Sequence, residues 1–358
     1  MVVFNSVNNI LYIIGGDMLN LTPTEFSATA LYEEGRQIVQ DKHKAAEKDK
    51  LGILRGGSAG FLMPNGEVIG KSPWEALARL LGFQMDITAK TFDIFDGGFK
   101  NEAMWDRYLK ERGTNFTGEE AFPLKYAVGS TFCTGRPDAV ILTKTGDIPV
   151  FGIENKGVMS KGAAEDIFYG QKPKDDNFIQ SCHYSYKFNL PWILVYTSNS
   201  VFQGDFWTKK KYGETDIPPF NVEFKIGCEN GKFYYITEAG HRVDTVITTE
   251  GIDLYYAAIL ESKEQKDISW MRMADHDIHG VKRNYDLNIY NDLCLMVPIN
   301  TGFDNWLAGV KKATSQSKYI KAKKINKELK YKVFDGDDLL EICDTLGEAR
   351  EMIFGEDL

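Results

Sequence analysis

Apolar residues at helical spacing dominate the first third of the chain. The segment Thr22–Glu25 (TPTE) has the form of a capping box with proline at the first helical position, and predicts a long helix to about Lys48. Ser72–Glu75 (SPWE) repeats this arrangement and predicts a short helix that ends at Gly82. A third helix is expected from Phe99 to Arg112. This part of the chain is therefore predicted to be mainly helical.

Short apolar, β-branched runs follow and predict strands. These runs are Pro137–Thr143, Ile148–Lys156, Pro191–Ser198, Asn221–Cys228 and Lys232–Glu238. A four-residue turn joins the first two, and Glu229-Asn230-Gly231 between the last two is a hairpin signal. Further helices are expected from an N-cap at Asp176 to about Asn189, from Gly251 to Glu264, and again after Thr301. Helices around a central mixed sheet predict an α/β or α+β fold.

Composition argues against three classes of protein: polycationic, membrane-spanning and disulfide-rich. The 358 residues include 42 Lys and Arg against 51 Asp and Glu, a formal net charge of −9, so a polycation that coats DNA or anionic membrane is not expected. No run of 18 apolar residues predicts a transmembrane helix, and no basic region precedes the apolar start as in a secretory signal. The five cysteines show no C-x-x-C spacing, which favours a reduced, cytoplasmic compartment without a disulfide framework.

Candidate chemistry gathers on the first two predicted strands. Asp138 begins one strand, and Glu154 and Lys156 end the next. Residues i and i+2 of a strand share a face, so Glu154 and Lys156 lie on one side, and the short turn brings Asp138 close to Glu154. Carboxylates with few other ligands suit a hard cation such as Mg²⁺ or Mn²⁺, which can make hydroxide from water during phosphate ester hydrolysis. A neighbouring lysine can orient or deprotonate the water, or neutralise the developing charge.

These residues resemble a known family. Arg136-Pro137-Asp138 followed by Glu154-Asn155-Lys156 resembles the PD-(D/E)XK nuclease superfamily, and Gln180–Tyr184 (QSCHY) fits the Q-x-x-x-Y motif of its RecB-type and phage lambda exonuclease-like branch. Gln180 and Tyr184 would share one helix face. The resemblance implies a restriction-endonuclease-like core in which Asp138 and Glu154 hold Mg²⁺, Lys156 assists the attacking water, and Gln180 and Tyr184 orient groups around it.

Two upstream elements extend the resemblance. The branch places a glutamate on an upstream helix near a glycine, which makes Glu102 a candidate third metal ligand, with Glu119 or Glu120 as alternatives. Leu54–Ala59 (LRGGSA) is similar to the segment that binds the 5′ phosphate of DNA, so Arg55 and Ser58 are candidate phosphate ligands. A plain glycine-rich turn is the alternative. The G-x-S-x-G pattern of Gly56–Gly60 would be a hydrolase nucleophile elbow only if a helix followed it.

The organisation expected from these patterns has three parts. An N-terminal helical segment spans residues 1–53, the nuclease core residues 54–240, and a mainly helical extension residues 241–358. The stretch from Lys311 to Lys332 holds nine lysines and one acid, and Asp335 to Asp357 holds nine acids and one base. A solvated helical face is one interpretation of the lysine run. The other is contact with DNA phosphates by Lys321, Lys323 and Lys324, together with Lys209, Lys210 and Lys211.

The resemblance implies a Mg²⁺-dependent deoxyribonuclease in which Mn²⁺ substitutes. A phage-type 5′→3′ exonuclease on linear double-stranded DNA ends, used in recombination or replication, is favoured. A restriction-type or structure-specific endonuclease is the alternative, and a non-catalytic DNA-binding or inhibitory protein on a nuclease fold is the alternative of another class. The resemblance also suggests a toroidal homotrimer, a single-strand annealing protein as partner and, for a phage-encoded chain, the host cytoplasm; no membrane partner is expected.

Overall fold

The computed structural model describes most of the chain. The described residues are 2–4, 11–13, 28–48, 52, 54–82, 89–118, 124–128, 131–213, 216–265, 272–274, 276–282, 318–325, 328–335, 338–344 and 348. The chain divides into two compact units, Met1–Glu47 and Lys48–Leu358. The first unit contains the antiparallel strands β1 (Val2–Phe4) and β2 (Leu11–Ile13) and most of helix α1 (Ala28–Lys48).

The second unit contains the remaining strands and helices. Its strands are β3 (Leu54–Arg55), β4 (Gly60–Leu62), β5 (Glu67–Gly70), β6 (Phe116–Gly118), β7 (Leu124–Val128), β8 (Thr131–Gly135), β9 (Ala139–Leu142), β10 (Pro149–Gly157), β11 (Trp192–Ser198), β12 (Phe220–Glu229), β13 (Lys232–Ile236), β14 (Arg242–Thr248), β15 (Arg272–Met273), β16 (Lys318–Ile325), β17 (Glu328–Asp335) and β18 (Asp338–Cys343). Its helices are α2 (Pro73–Leu80), α3 (Ala89–Glu111), α4 (Lys161–Ala164), α5 (Asp175–Phe188), α6 (Phe206–Tyr212) and α7 (Thr249–Gln265), with a 3₁₀ turn at Gly56–Ser58 and a π-helical turn at Glu165–Tyr169.

A mixed sheet of seven strands forms the centre of the second unit. Its order is β14-β13-β12-β11-β10-β9-β6, and only the pair β10–β11 is parallel among these neighbours. The connection between these parallel strands runs through α4, the π-helical turn and α5. The predicted α/β fold with a central mixed sheet flanked by helices is therefore confirmed.

Helices cover both faces of this sheet. On one face α5 and α7 enclose the larger apolar core, in which Trp192, Leu194, Tyr196 and Phe224 are buried. On the other face α3 packs over a smaller apolar cluster that includes Ile153 and Val195. Glu154 pairs with Leu194 and Lys156 with Tyr196, so both candidate residues face the side of the larger core.

Three small sheets complete the second unit. Their orders are β15-β5-β4, β3-β8-β7 and β16-β17-β18. No helix in the described part of the chain is long and apolar enough to cross a membrane.

Most predicted elements of the core are confirmed, with three local differences. Helix α2 forms where expected and ends before Gly82, yet the Ser72 side chain makes no cap hydrogen bond. Helix α3 begins ten residues earlier than predicted, at Ala89, and continues through the Gly97-Gly98 pair, which by itself weakens a helix. Helix α5 begins at Asp175 with Lys174 at the N-cap position, so Asp176 lies inside its first turn.

The helical expectation for the C-terminal extension is partly wrong. Helix α7 is confirmed, whereas Lys318–Cys343 forms the antiparallel strands β16, β17 and β18. The lysine run is rich in β-branched and aromatic neighbours, such as Tyr319 and Ile320, which strands favour. A solvated helical face is therefore also wrong for the part of the run in these strands. The predicted N-cap at Thr22 and the start of a helix after Thr301 lie outside the described residues.

Candidate active site

Asp138 and Glu154 meet at one end of the central sheet. Asp138 directly precedes β9, and Glu154 lies near the end of the antiparallel neighbour β10. The backbone N–H of Asn155 donates a hydrogen bond to Asp138 Oδ2 over 2.6 Å. This bond holds the Asp138 carboxylate beside the strand that carries Glu154 and Lys156, as the sequence predicted.

Glu154 is almost completely buried, with 1% of its surface exposed. Its Oε1 accepts a hydrogen bond from Lys156 Nζ over 2.5 Å, while its Oε2 has no hydrogen-bond partner in the described part of the chain. Burial, followed by the negative charge of Asp138, raises the pKa of Glu154 to about 8. The fold therefore keeps two carboxyl groups close together in a place where their charge is poorly solvated.

Lys156 supplies the positive charge of this cluster. Burial lowers the pKa of its ammonium group, but the carboxylates of Glu154 and Asp138 outweigh that effect and hold the pKa above its ordinary value. The side chain retains 27% of its surface in contact with solvent. Lys156 is therefore a charged group that reaches from a buried carboxylate to the surface.

Gln180 and Tyr184 lie one turn apart on α5 and face each other, with Gln180 Nε2 donating to the Tyr184 hydroxyl over 3.5 Å. Tyr184 is buried, and burial together with the Glu154 charge raises the pKa of its hydroxyl. The charges of Lys156 and Asp138 also act on this hydroxyl. The structure thus brings the predicted Q-x-x-x-Y residues to the same cluster as the carboxylates.

The glycine-rich turn packs against these two residues. A Cβ built on Gly56 would lie 2.4 Å from Tyr184 Cε1, and one built on Gly57 would lie 3.8 Å from Gln180 Nε2. Arg55 and Ser58 flank this contact, and the Tyr256 hydroxyl donates to the Arg55 carbonyl over 3.1 Å. The turn is followed by strand β4 rather than by a helix, which excludes a nucleophile elbow.

Glu102 approaches from α3 on the other face of the sheet. It lines a pocket of about 300 Å³ together with Asp138, Asn155 and apolar side chains such as Phe99 and Trp105. The charge of Glu102 adds to the rise in the pKa of Glu154. Among the described residues, however, no three His, Cys, Asp or Glu side chains form a group that could hold a metal ion. The alternatives Glu119 and Glu120 lie outside the described residues.

Sequence reasoning missed Asn155, which lies between the two motif residues. Asn155 is buried on the α3 side, where its Oδ1 accepts from Asn101 Nδ2 over 2.9 Å. It also missed Lys71, which forms an ion pair with Asp176 over 3.1 Å and whose pKa is affected by the Lys156 charge. For the Asn101–Asn155 pair, the sequence offered one signal, the position of Asn101 next to the candidate residue Glu102. The Lys71–Asp176 pair joins distant segments and has no local signal.

The candidate DNA-binding lysines occupy two separate elements. Lys209, Lys210 and Lys211 lie on the short helix α6. Lys321, Lys323 and Lys324 lie on β16, in a sheet distinct from the one that carries Asp138 and Glu154.

Comparison with known proteins finds a weak likeness to solved structures. No protein-family model and no curated protein sequence matches the chain. Two solved structures are similar to it, an alkaline exonuclease (LHK-Exo) from Laribacter hongkongensis and LHK-Exo in complex with dAMP. Each is 16% identical over 61% of this chain and 91% of the other, with a TM-score of 0.36. A similarity at this level does not assign an activity to this chain.

Proposed function

We propose that this chain is a metal-dependent DNA nuclease, and that it acts as a 5′→3′ exonuclease on linear double-stranded ends. One observation carries the proposal: Asp138 and the buried Glu154 stand together beside Lys156, with Gln180 and Tyr184 facing the same cluster. Paired carboxylates next to an ammonium group suit the hydrolysis of a phosphodiester, since they can bind a hard cation and oppose the negative charge that develops.

The residues present fit a divalent cation. Glu154 Oε2 is a buried carboxylate oxygen without a hydrogen-bond partner in the described residues, and a second carboxylate, Asp138, lies beside it. Oxygen ligands of this kind are those that Mg²⁺ and Mn²⁺ prefer. Asp138 and Glu154 would hold the ion, and Glu102 on α3 would add negative charge nearby without completing a three-residue metal group in the described residues. When bound, such an ion lowers the pKa of a coordinated water and neutralises phosphate charge.

Side chains of this protein would orient the reacting phosphate and offset its negative charge. Lys156 is fixed by its 2.5 Å contact with Glu154, so its ammonium group offers positive charge to the developing phosphate dianion without a change of conformation. The Gln180 amide and Tyr184 hydroxyl lie on the α5 side, where they can orient the lysine, the attacking water or a phosphate oxygen.

The preference for ends rests on the glycine-rich turn. Arg55 and Ser58 flank backbone that packs on Gln180 and Tyr184, so a phosphate bound there would lie next to the cleavage site. We propose that they bind the 5′ phosphate of the DNA end. A homotrimer that encircles DNA and an annealing protein that takes up the product strand are further proposals that follow from this activity.

A single cleavage assay tests the function. End-labelled linear duplex and covalently closed circles are incubated with the protein in Mg²⁺, in Mn²⁺ and in chelator. The proposal expects metal-dependent loss of the linear DNA alone. Cutting of the circles would indicate an endonuclease, and intact DNA in all conditions, with retained binding, would indicate a non-catalytic DNA-binding protein.

A further inference from the structure

Helix α6 places two large aromatic side chains in solvent. Phe206 is 72% exposed and Trp207 is 69% exposed, which puts them among the most exposed large apolar residues of the described chain. Their rings lie 5.5 Å apart at 77°, so the two form one continuous aromatic surface. Exposure of two adjacent aromatic residues is unfavourable in water and often marks a binding surface.

Four contacts hold this surface in place. Asp205 caps α6 by accepting hydrogen bonds from the backbone N–H groups of Trp207 and Thr208, and the Thr208 side chain donates a hydrogen bond to Glu165. Lys161 binds the Asp205 carboxylate over 2.8 Å. At the other end of the helix, the ring of Tyr212 stacks on Tyr169 at 5.0 Å. The aromatic pair therefore stands on a fixed base.

This base follows the same strand ends as the candidate active site. Lys161 and Glu165 lie in the segment after β10, which carries Lys156 near its end, and α6 lies in the segment after β11. The ends of these parallel strands are joined by a hydrogen bond from the Val158 N–H to the Thr197 carbonyl over 2.9 Å. The ion pair of Lys161 with Asp205 and the hydrogen bond of Thr208 to Glu165 therefore tie α6 to the segment that leaves β10 at the Lys156 end.

Helix α6 combines aromatic rings with positive charge, which suits an anionic ligand. Lys209, Lys210 and Lys211 follow the aromatic pair, and Lys210 Nζ lies 5.4 Å from the centre of the Trp207 ring. The nearby acids are engaged: Asp205 and Glu165 bind Lys161, and Asp166 lies 3.9 Å from Lys211. Aromatic faces next to lysines fit an anionic polymer with exposed flat rings.

We propose that Phe206, Trp207 and the adjacent lysines form a stacking platform for single-stranded DNA. Bases inside a duplex are covered on both faces by their neighbours, and only the outer face of the last pair is open, so an unpaired strand offers far more ring surface to stack on Trp207. The identification of the ligand as DNA rests on the proposed nuclease function. The platform would receive the strand that remains, or is peeled away, as a duplex end is processed.

Binding measured in chelator tests the platform without any cleavage. Titration of the full chain with an oligothymidylate should quench Trp207 fluorescence and shift the anisotropy of a labelled strand. Replacing Phe206 and Trp207 together with alanine should weaken single-strand binding by about tenfold or more, the scale of one stacked base, and should affect duplex binding less. The single variant Trp207→Phe, which retains an aromatic ring, should keep most of the wild-type affinity for the single strand. The matched control is Ile148→Ala, because Ile148 is 59% exposed in the turn at the opposite end of β10.

The outcomes separate this proposal from the function on which it rests. Unchanged single-strand affinity in the double variant, or an equal loss for single strand and duplex, would overturn the platform. If the wild type binds the oligonucleotide through Trp207 but never cleaves DNA in Mg²⁺, the platform stands and the nuclease proposal fails. Circular dichroism melting of each variant shows whether a loss of binding reflects unfolding.

Discussion

At the scale of single residues, Glu154 concentrates the chemistry of this protein. A carboxylate removed almost entirely from water is costly unless it is neutralised, paired or bound to a cation. The fold pairs one of its oxygens with Lys156 and leaves the other without a hydrogen bond in the described residues. A site of this kind is unfavourable for stability alone and favourable for binding a cation, which is why function is the better explanation for it.

We expect neutral isosteres at the two carboxylates to stop cleavage. Asp138→Asn and Glu154→Gln should each lower the rate of DNA hydrolysis by at least about 10²-fold, since each removes a charged ligand while it preserves the shape of the side chain. Quantitative gel assays in Mg²⁺ measure the rate, and duplex binding in Ca²⁺ should survive. The control is Asp147→Asn in the turn between the same strands, where the side chain bonds to Thr143, Thr145 and the backbone of the turn itself. Wild-type rates in either site variant would contradict the assignment.

His183, next to the candidate site on α5, should make stability depend on pH. Burial, aided by the Lys187 charge, lowers its pKa in the folded protein to about 3, against about 6.5 when unfolded. Between these values the unfolded imidazole binds more protons than the folded one, so the stability that His183 contributes is full above about pH 6.5 and is lost on acidification, by up to about 1.4 kcal/mol per pH unit. Glu154, whose folded pKa is raised, acts in the opposite direction over this range, so the difference between the wild type and His183→Asn isolates the histidine.

Denaturant unfolding from neutral pH to about pH 5 measures this slope, and His183→Asn should flatten it. His183 packs against the rings of Tyr184 and Tyr256, so the variant will also be less stable at every pH, and the slope rather than the absolute stability is the readout. His241→Asn, at an exposed position between β13 and β14, should keep the wild-type slope. A slope that is the same in the wild type and in His183→Asn would contradict the prediction.

At the scale of elements, the glycine-rich turn and α5 form one unit. The turn can approach the Tyr184 ring because Gly56 has no side chain, and Gly135 at the end of β8 leaves the same space open. Three segments that are far apart in the sequence thus hold Tyr184 beside Glu154 and Lys156.

Two neighbouring glycines provide a matched test of this contact. Gly56→Ala should destabilise the protein by about 1–3 kcal/mol and reduce cleavage, because the new Cβ would displace the Tyr184 ring. Gly57→Ala should change both little, since its Cβ would lie at an ordinary 3.8 Å from Gln180. Urea unfolding measures the stability of both variants, and cleavage assays measure their activity. Equal behaviour of the two would show that the turn does not hold Tyr184.

The same turn leads to a prediction about DNA ends. If Arg55 and Ser58 bind the terminal phosphate, 5′-phosphorylated duplex should be degraded faster than 5′-hydroxyl duplex. Arg55→Ala should remove the difference, whereas Arg79→Ala on α2, whose guanidinium pairs with Glu75, should keep it. Single-turnover degradation of both substrates measures the effect. Identical rates for the two ends in the wild type would rule out a 5′-phosphate pocket in this turn.

At the scale of the whole molecule, charge is distributed unevenly. A net charge of −9 opposes the approach of DNA, so attraction has to come from local basic segments. The strand β16 contributes Lys321, Lys323 and Lys324, and the β16–β17 register places Lys321 opposite Lys332 and Lys323 opposite Lys330. Lys330 already forms an ion pair with Asp344 over 2.6 Å, so we expect DNA contact from the three lysines of β16.

The salt dependence of DNA binding tests this segment. Each neutralised phosphate contributes about −0.9 to the slope of log affinity against log salt, so glutamine at Lys321, Lys323 and Lys324 should flatten the slope by about one to three units. Turnover at saturating DNA should change little. The control is Lys144→Gln, in the turn between β9 and β10. An unchanged slope in the triple variant would mean that the segment does not contact DNA.

The sequence by itself determined the local features of this protein. Alternation along β10 placed Glu154 and Lys156 on one face, and the short turn before that strand predicted its pairing with β9 beside Asp138. The Asn230-Gly231 turn likewise predicted the β12–β13 hairpin, which both residues allow through positive φ angles of 52° and 77°. Such features depend on residues that are close in the chain, and their patterns can be read directly.

Tertiary structure alone decided the features that depend on distant segments. The burial of Glu154 and its pKa of about 8, the contact of Gly56 with Tyr184, and the ion pair that joins α6 to the segment after β10 each depend on residues that no local pattern links. The strands at Lys318–Cys343 show the same limit, because a lysine-rich run satisfies helix and strand patterns alike until partner strands are present. Long-range packing supplies those partners, and with them the desolvation that turns two ordinary carboxylates into a candidate metal site.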